Sequence, residues 1–249
     1  MAKKAKPGTG NRHGMRHGVR HGVRHDVPHD PRQAPTADIP SVAPAVEAVA
    51  KYHHGSLRPA LLDAAETILK RDGIQALTLR AAAREAGVSH AAPKNHFGDL
   101  RGLLSELAAV GFARLGAAML AGIDASGDVS KRMDAIGRGY IGFALANPEL
   151  FALMFRAERL DFERPALRDA SAAGFGVLSG LVGERRQESV GAGLTLQQAA
   201  NIVTLWSLVH GFVMLLLDGR LRPIIERLPA GTSEMDLLAA IFIGVKSRA

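Results

Sequence analysis

Three observations predict an all-α protein. Apolar residues recur at three- and four-residue spacing through most of the chain after residue 50, and no strand-like alternation of useful length occurs. Aromatic residues make up only 5% of the sequence while alanine is abundant, which favours helices over sheets. Pro148, Pro165 and the Gly191-Ala192-Gly193 run fall between the periodic segments and divide them into helix-sized lengths. The 47% hydrophobic content is ample for a buried core in 249 residues.

Residues 1–50 read as a disordered basic tail. Prolines are scattered, large apolar residues are almost absent, and Arg12-His13-Gly14, Arg16-His17-Gly18, Arg20-His21-Gly22 and Arg24-His25 repeat every four residues. Such a segment cannot bury enough surface to offset the entropy of ordering it. His13, His17, His21, His25 and His29 would form a metal-ligand stripe if the tail were helical, but the interspersed glycines oppose a helix by about 1 kcal/mol each. No metal site is therefore assigned, and the tail reads as a DNA-contacting or inert extension. Met15 or a later codon could also be the true translation start.

Order is expected from about Lys51. Ser56 can cap a first helix carrying Leu61, Ala64, Ala65, Ile68 and Leu69 as its apolar stripe, and Asp72-Gly73 ends it. Ile74 and Leu77 then pack beneath a second helix capped by Thr78, with Leu79, Ala82, Ala83 and Ala86 at helical spacing. Gly87 supplies the left-handed residue at which that helix stops, Val88 plugs the turn, and Ser89 is read as the cap of a third helix starting at about His90. This is the layout of a helix-turn-helix. His90, Lys94 and Asn95 are donors and acceptors on the third helix, suited to the edges of bases in a major groove.

Charge supports the same reading. Residues 1–50 hold eight Lys/Arg against four Asp/Glu, residues 51–101 hold eight against five, and residues 102–249 are balanced at fifteen each. The net charge of +7 therefore lies wholly in the first two fifths, as expected of a protein that meets phosphates at one end.

A long helix follows from Asp99 to about Ile123. Further helices are expected at about Val129–Ala146, Glu149–Phe155, Ala166–Ser189, Leu196–Leu217 and Ser233–Val245. Arg156 to Asp161 reads as a solvated linker. The apolar run Ile202–Leu217 carries Thr204, Ser207 and His210 and is shorter than the roughly 20 residues that span a bilayer, so it reads as a buried helix. The N-terminus has no apolar core of a secretory signal, and cysteine is absent. Together these point to a cytoplasmic location. There is no Gly-x-Ser-x-Gly elbow, no phosphate-binding glycine loop after a strand and no His-Glu-x-x-His, so neither an enzyme nor a cofactor is expected.

From Tyr52 to Ala108 the chain resembles the DNA-binding domain of the TetR family of transcriptional regulators. The resemblance rests on Ala64-Ala65, Gly73, Thr78-Leu79-Arg80, Ala86-Gly87-Val88-Ser89 and His96-Phe97 before Asp99. It implies a DNA-binding domain over 51–98 and a helical ligand-binding and dimerisation domain over 99–249. The implied DNA contacts are His53, His54, Thr78, Arg80, Ser89, His90, Ala91, Lys94, Asn95, His96 and Arg101. Thr78, Ser89 and His96 would meet phosphates, with His90, Ala91, Lys94 and Asn95 toward the groove. Two departures stand out: Lys94 replaces a frequent tyrosine, and Leu100 a frequent lysine whose role Arg101 could take over.

Trp206, His210 and Gly211 resemble the Trp…His-Gly type of C-terminal domain in the same family. The pair Trp206 and His210, four residues apart, shares one helix face. A cavity lined by Tyr140, Phe143, Phe151, Met154, Phe155, Phe175, Trp206, His210 and Met214 is expected, with a largely apolar small-molecule effector. The resemblance further implies a homodimer through the last two helices and a palindromic operator in double-stranded DNA, and hence a ligand-responsive repressor. A non-specific architectural DNA binder and a helical small-molecule-binding protein without gene regulation remain the alternatives.

Overall fold

The stripe of the first predicted helix holds the head together. In the computed structural model, which describes residues 57–124, 128–191 and 193–246, helix α1 runs Leu57–Asp72 and buries Leu61, Ala64, Ala65, Ile68 and Leu69. The histidine-rich tail, His53, His54 and the cap expected from Ser56 lie outside the described residues. Leu77, at 1% exposure, seals the turn after α1, and α2 (Leu79–Glu85) begins where the hydroxyl of Thr78 accepts the Ala81 N–H at 3.0 Å. Gly87, at φ 66°, then ends α2. The Val88 N–H returns to the Ala83 carbonyl at 3.0 Å and the Gly87 N–H to Arg84 at 3.2 Å, a Schellman closure.

The third helix departs from expectation. Helix α3 is Ala92–Phe97, two residues later than predicted, and its N-cap is Ala91, with no side-chain capping bond, rather than Ser89. Pro93 is the reason. With Ser89 as cap, Pro93 would have to donate the first helical hydrogen bond to the Ser89 carbonyl, and it has no N–H to donate. The Ala92 N–H makes that bond instead, at 3.0 Å, as a tight turn, and Pro93 falls in the first turn of α3 where no donor is needed.

Helix α4 (Leu100–Leu120) is capped by Asp99, whose carboxylate accepts the Gly102 N–H at 2.7 Å. Leu103, Leu107, Phe112, Leu115 and Met119 are all buried in one continuous core that runs from α1 to the final helix. Around α4 pack α5 (Val129–Ala146), α6 (Pro148–Met154) and α7 (Pro165–Arg186), and it also meets α1 and α3. The chain closes with α8 (Leu196–Leu217), the four-residue α9 (Arg222–Ile225) and α10 (Glu234–Lys246). No strand occurs among the described residues. Helix α7 stops three residues short of Ser189 because Gln187 adopts the left-handed conformation, φ 56°, and the Glu188 N–H turns back to the Gly183 carbonyl at 2.9 Å.

The stretch from Arg156 to Asp161 links α6 to α7 and exposes Arg156 and Glu158 as expected, but it is also a strap. It forms one 3₁₀ turn, Ala157–Arg159, and buries Leu160 to 1% exposure. The Leu160 carbonyl accepts from Arg101 Nε at 2.9 Å, and the Asp161 N–H donates to the fully buried Ser105 hydroxyl at 2.8 Å. Just beyond, Arg164 approaches Glu106 at 3.7 Å, while Arg58 of α1 holds the same carboxylate at 2.6 Å. Head, long helix and strap therefore meet at one polar joint. Nearby, Arg114 of α4 grips Glu66 of α1 at 2.8 Å, and Lys70 adds a second contact at 2.8 Å. Burial opposes the charge on Glu66, but these hydrogen bonds outweigh it and hold the carboxyl below the usual range.

Helix α8 also departs from expectation: it is apolar but not buried. Both α4 and α8 are long and apolar enough to cross a membrane by length and composition, and α4 is mostly enclosed by its neighbours. By contrast only 22% of the apolar window of α8 is covered, leaving Leu196, Val203, Met214 and Leu215 exposed. Composition could not separate a helix surrounded by its own chain from one whose apolar side is left open.

The closest backbone approach in the body sits at Gly139. A methyl group there would meet the Ala118 carbonyl carbon at 2.7 Å and the Met119 Cα at 2.8 Å, so α4 and α5 would have to separate. Overpacking of this kind costs roughly 1–3 kcal/mol. Gly139→Ala is expected to lower the thermal midpoint by several degrees, whereas Gly142→Ala, which meets nothing within 4 Å, leaves it unchanged or slightly raised.

Candidate nucleic-acid interface and cavity

Helix α3 is divided cleanly between inside and outside. Ala92, Pro93 and Phe97 are buried against the head, and the guanidinium of Arg58 lies 5.8 Å from the centre of the Phe97 ring. On the other side Ser89, His90, Ala91, Lys94, Asn95 and His96 are all exposed, as are Thr78 and Arg80 at the start of α2. The structure thus brings these eight predicted residues to the outer surface of α2, the turn and α3. The surface is free of negative charge. Between Gly73 and Gly98 the sequence has one carboxylate, Glu85, and both its oxygens accept from Arg71 at 3.1 Å. Arg101 is placed differently: its guanidinium is bound to the Leu160 carbonyl in the joint, which commits it to the strap rather than leaving it free beside α3.

The body encloses a cavity of about 280 Å³ between α4, α5, α7 and α8, with walls also from the end of α6, the strap and α10. Of the predicted residues, Tyr140, Met154, Phe155, Phe175 and Trp206 line it. Phe162, Phe175 and Trp206 line it while remaining 39–42% exposed, so they form its open side. No charged side chain faces the space.

Four predicted residues lie off this wall. Phe151, fully buried, and His210 form the layer behind it: Phe151 packs edge-on to Tyr140 at 5.5 Å, and the imidazole lies 4.4 Å from the Phe155 ring. Phe143 is core, and Met214 sits on the exposed side of α8. Helical spacing from Trp206 identified the correct helix but could not tell a wall from the layer behind it. Phe112, Leu115, Met119, Met133, Ile136 and Phe242, which do line the cavity, carry the same pattern as ordinary core. The sequence holds no signal that would have separated them.

The polar chemistry of the cavity is concentrated in one cluster. The Tyr140 hydroxyl pairs with His210 Nδ1 at 2.9 Å, and the Trp206 ring lies 6.3 Å from the imidazole. Burial pushes the phenol well above its ordinary value and lowers the imidazole below 6.5, so both are neutral near pH 7. A solvent-facing cationic surface at one end and an apolar chamber with a neutral polar cluster at the other define a helix-turn-helix protein with a small-molecule-sized cavity.

Comparison with known proteins agrees. Residues 61–107 match the family model described as bacterial regulatory proteins of the tetR family, and residues 133–236 match the tetracyclin repressor-like C-terminal domain. Together the two matches span more than half of the chain. Among solved structures, the chain is similar to a protein of unknown function from Rhodococcus sp. RHA1, with 34% identity, a TM-score of 0.61, and coverage of 77% of this chain and 94% of that one. It shares its fold with LfrR of Mycobacterium smegmatis, solved in complex with proflavine, at 18% identity, TM-score 0.50, and coverage of 77% and 95%. The same holds for PfmR of Thermus thermophilus, at 17% identity, TM-score 0.50, and coverage of 73% and 93%. Comparison with curated proteins finds no match. The chain belongs to the TetR family and is a DNA-binding transcriptional regulator.

Burial makes His210 less basic in the folded chain than in the unfolded one. The unfolded chain takes up a proton near 6.5 whereas the folded chain does so only at lower pH, so stability is complete above that value and declines as pH falls through it. The loss attached to Glu66 comes later, below its ordinary 4.5. The melting temperature of the wild type is expected to fall as pH drops below about 6.5, and His210→Gln should flatten that part of the profile. An unchanged slope in the variant would place the titrating group elsewhere.

Proposed function

We propose that the chain is a ligand-responsive repressor that binds a palindromic operator as a homodimer in the cytoplasm, without a cofactor. The DNA-binding part is residues 51–98 and the effector and dimer part is residues 99–249. On the exposed surface of the head, Thr78, Ser89 and His96 meet phosphates, while His90, Ala91, Lys94 and Asn95 face the major groove. Arg80, His53 and His54 add further backbone contacts. The run through Trp206, His210 and Gly211 is read as the Trp…His-Gly type of C-terminal domain.

One observation carries the ligand response: the cavity wall and the head joint are built from the same two elements. Phe112, Leu115 and Met119 of α4 line the cavity, while Arg101, Ser105 and Glu106, earlier on α4, form the joint. Ala157 of the strap and Phe162, the residue just after it, line the cavity, while Leu160, between them, anchors Arg101. An effector that wedges into the cavity displaces the strap and α4 together and alters the separation of the two recognition helices. To act, it must bind one arrangement better than the other, by roughly 1–3 kcal/mol. The structure of LfrR in complex with proflavine supports small-molecule binding by a chain of this fold.

Dimerisation is supported by the uncovered apolar surface of α8. Leu208, Phe212 and Leu215 of α8 line a groove with Ile224, Leu237 and Ile241, and Ile243 of α10 is 66% exposed. A second copy covers this surface through a two-fold contact, setting the recognition helices about 34 Å apart, one turn of DNA.

Footprinting on DNA upstream of the gene should reveal a palindromic protected site. Lys94→Ala and Asn95→Ala are each expected to weaken binding there about tenfold or more, a loss of the 1–3 kcal/mol order of a base contact, with folding and dimerisation intact. Equal affinity for random duplexes would replace specific regulation with architectural binding. Leu215→Asp is expected to shift the protein from dimer to monomer in sedimentation and to abolish the footprint while the helical circular-dichroism signal persists.

A further inference from the structure

Beside the main cavity lies a second of about 180 Å³, and Met133, Leu181, Leu205 and Phe242 line both. The two spaces differ in chemistry. The first has no charged wall residue, whereas the second is lined by Arg185 and Arg186 from the end of α7, with Asn201 and Thr204 from α8, and by no carboxylate. The neighbouring acid, Glu184, is already paired with Arg132. Arg185 makes no ion pair among the described residues; its Nη1 rests 3.7 Å from Met133 Sδ, on a side chain that belongs to both spaces. Arg186 and Gln197 each donate to Asn201 Oδ1 at 3.1 Å, and that leaves the Asn201 amide nitrogen buried with no hydrogen-bond partner.

The buried Asn201 amide lacks an acceptor, and the exposed Arg185 and Arg186 put two positive charges at the mouth of the same space with no carboxylate on its lining, so an oxygen, preferably an anionic one, suits it. The shared wall between the spaces is entirely apolar, and the unbranched Met133 side chain can swing to join them. We propose that the two cavities form one elongated effector site for an amphiphilic carboxylate, its apolar body in the larger space and its head group on Arg185, Arg186 and the Asn201 amide. This rests on the reading of the larger cavity as the effector site and adds the chemical class of the effector. A carboxylate offers the orphaned amide an acceptor and the two guanidinium groups a counter-charge together; a neutral lipophile lacks the charge, and a cation would be repelled.

The single tryptophan of the chain, Trp206, lines the larger cavity, so intrinsic fluorescence reports its occupancy directly. Titration of the full chain with decanoate and with 1-decanol compares a charged and a neutral head on the same apolar tail. The expected result is saturable binding of decanoate by the wild type and a loss of about tenfold or more in the Arg185→Gln/Arg186→Gln variant. Decanol binding should stay within about twofold between the two proteins, which also verifies that the variant's cavity is intact. Equal weakening of both probes, an unaltered decanoate affinity in the variant, or no decanoate binding by the wild type would each overturn the proposal. Operator release is measured separately: decanoate that binds as described but leaves operator affinity unchanged removes the ligand-responsive reading while the carboxylate site stands.

Discussion

The burial of α4 by both parts of the molecule is the constraint on which the remaining structure depends. At about 1.5 Å per residue its 21 residues reach roughly 31 Å, and over that length the helix changes what it packs against. Its early residues Glu106, bound by Arg58, and Arg101 join it to α1 and the strap, whereas Phe112, Leu115 and Met119 form one wall of the body cavity. A helix shared in this way cannot shift at one end without disturbing contacts at the other, because a close-packed core gives little room for independent adjustment.

The polar joint makes that sharing specific. Hydrophobic contacts alone would allow the head to slide on α4, since apolar burial has no preferred direction. Glu106, held by Arg58 and approached by Arg164, and the Arg101 to Leu160 bond fix one orientation, because each requires particular donors and acceptors at short range. Largely buried carboxylates contribute little net stability when paired, but losing a partner leaves a charge in a poor environment. The joint therefore acts as an orienting device more than as a source of stability.

The body carries a different kind of incompleteness. The open apolar surface of α8, the groove beside α9 and α10, and the two adjoining cavities are all places where one chain leaves surface unsatisfied. The body buries a core of its own, Ile141, Leu150, Phe151 and Leu167 among it, yet leaves apolar surface and cavities open, as the proposed ligand and second copy require.

Much of the fold was written locally. The helices Val129–Ala146 and Leu196–Leu217 follow directly from periodicity, caps and prolines, and Thr78, Gly87 and Asp99 behave as cap and stop residues because those roles depend on a few neighbouring backbone groups. The exposed face of α3 was legible for the same reason, even though Pro93 moved the start of the helix. What the sequence could not decide was anything set by distant partners. That Arg101 turns to Leu160, that Arg156 to Asp161 is a strap, that Phe151 and His210 stand behind the wall while Met133 and Phe242 form it, and that α8 stays open all depend on residues tens of positions apart. Helical spacing places a side chain on a face, and only packing determines whether that face meets core, cavity or solvent.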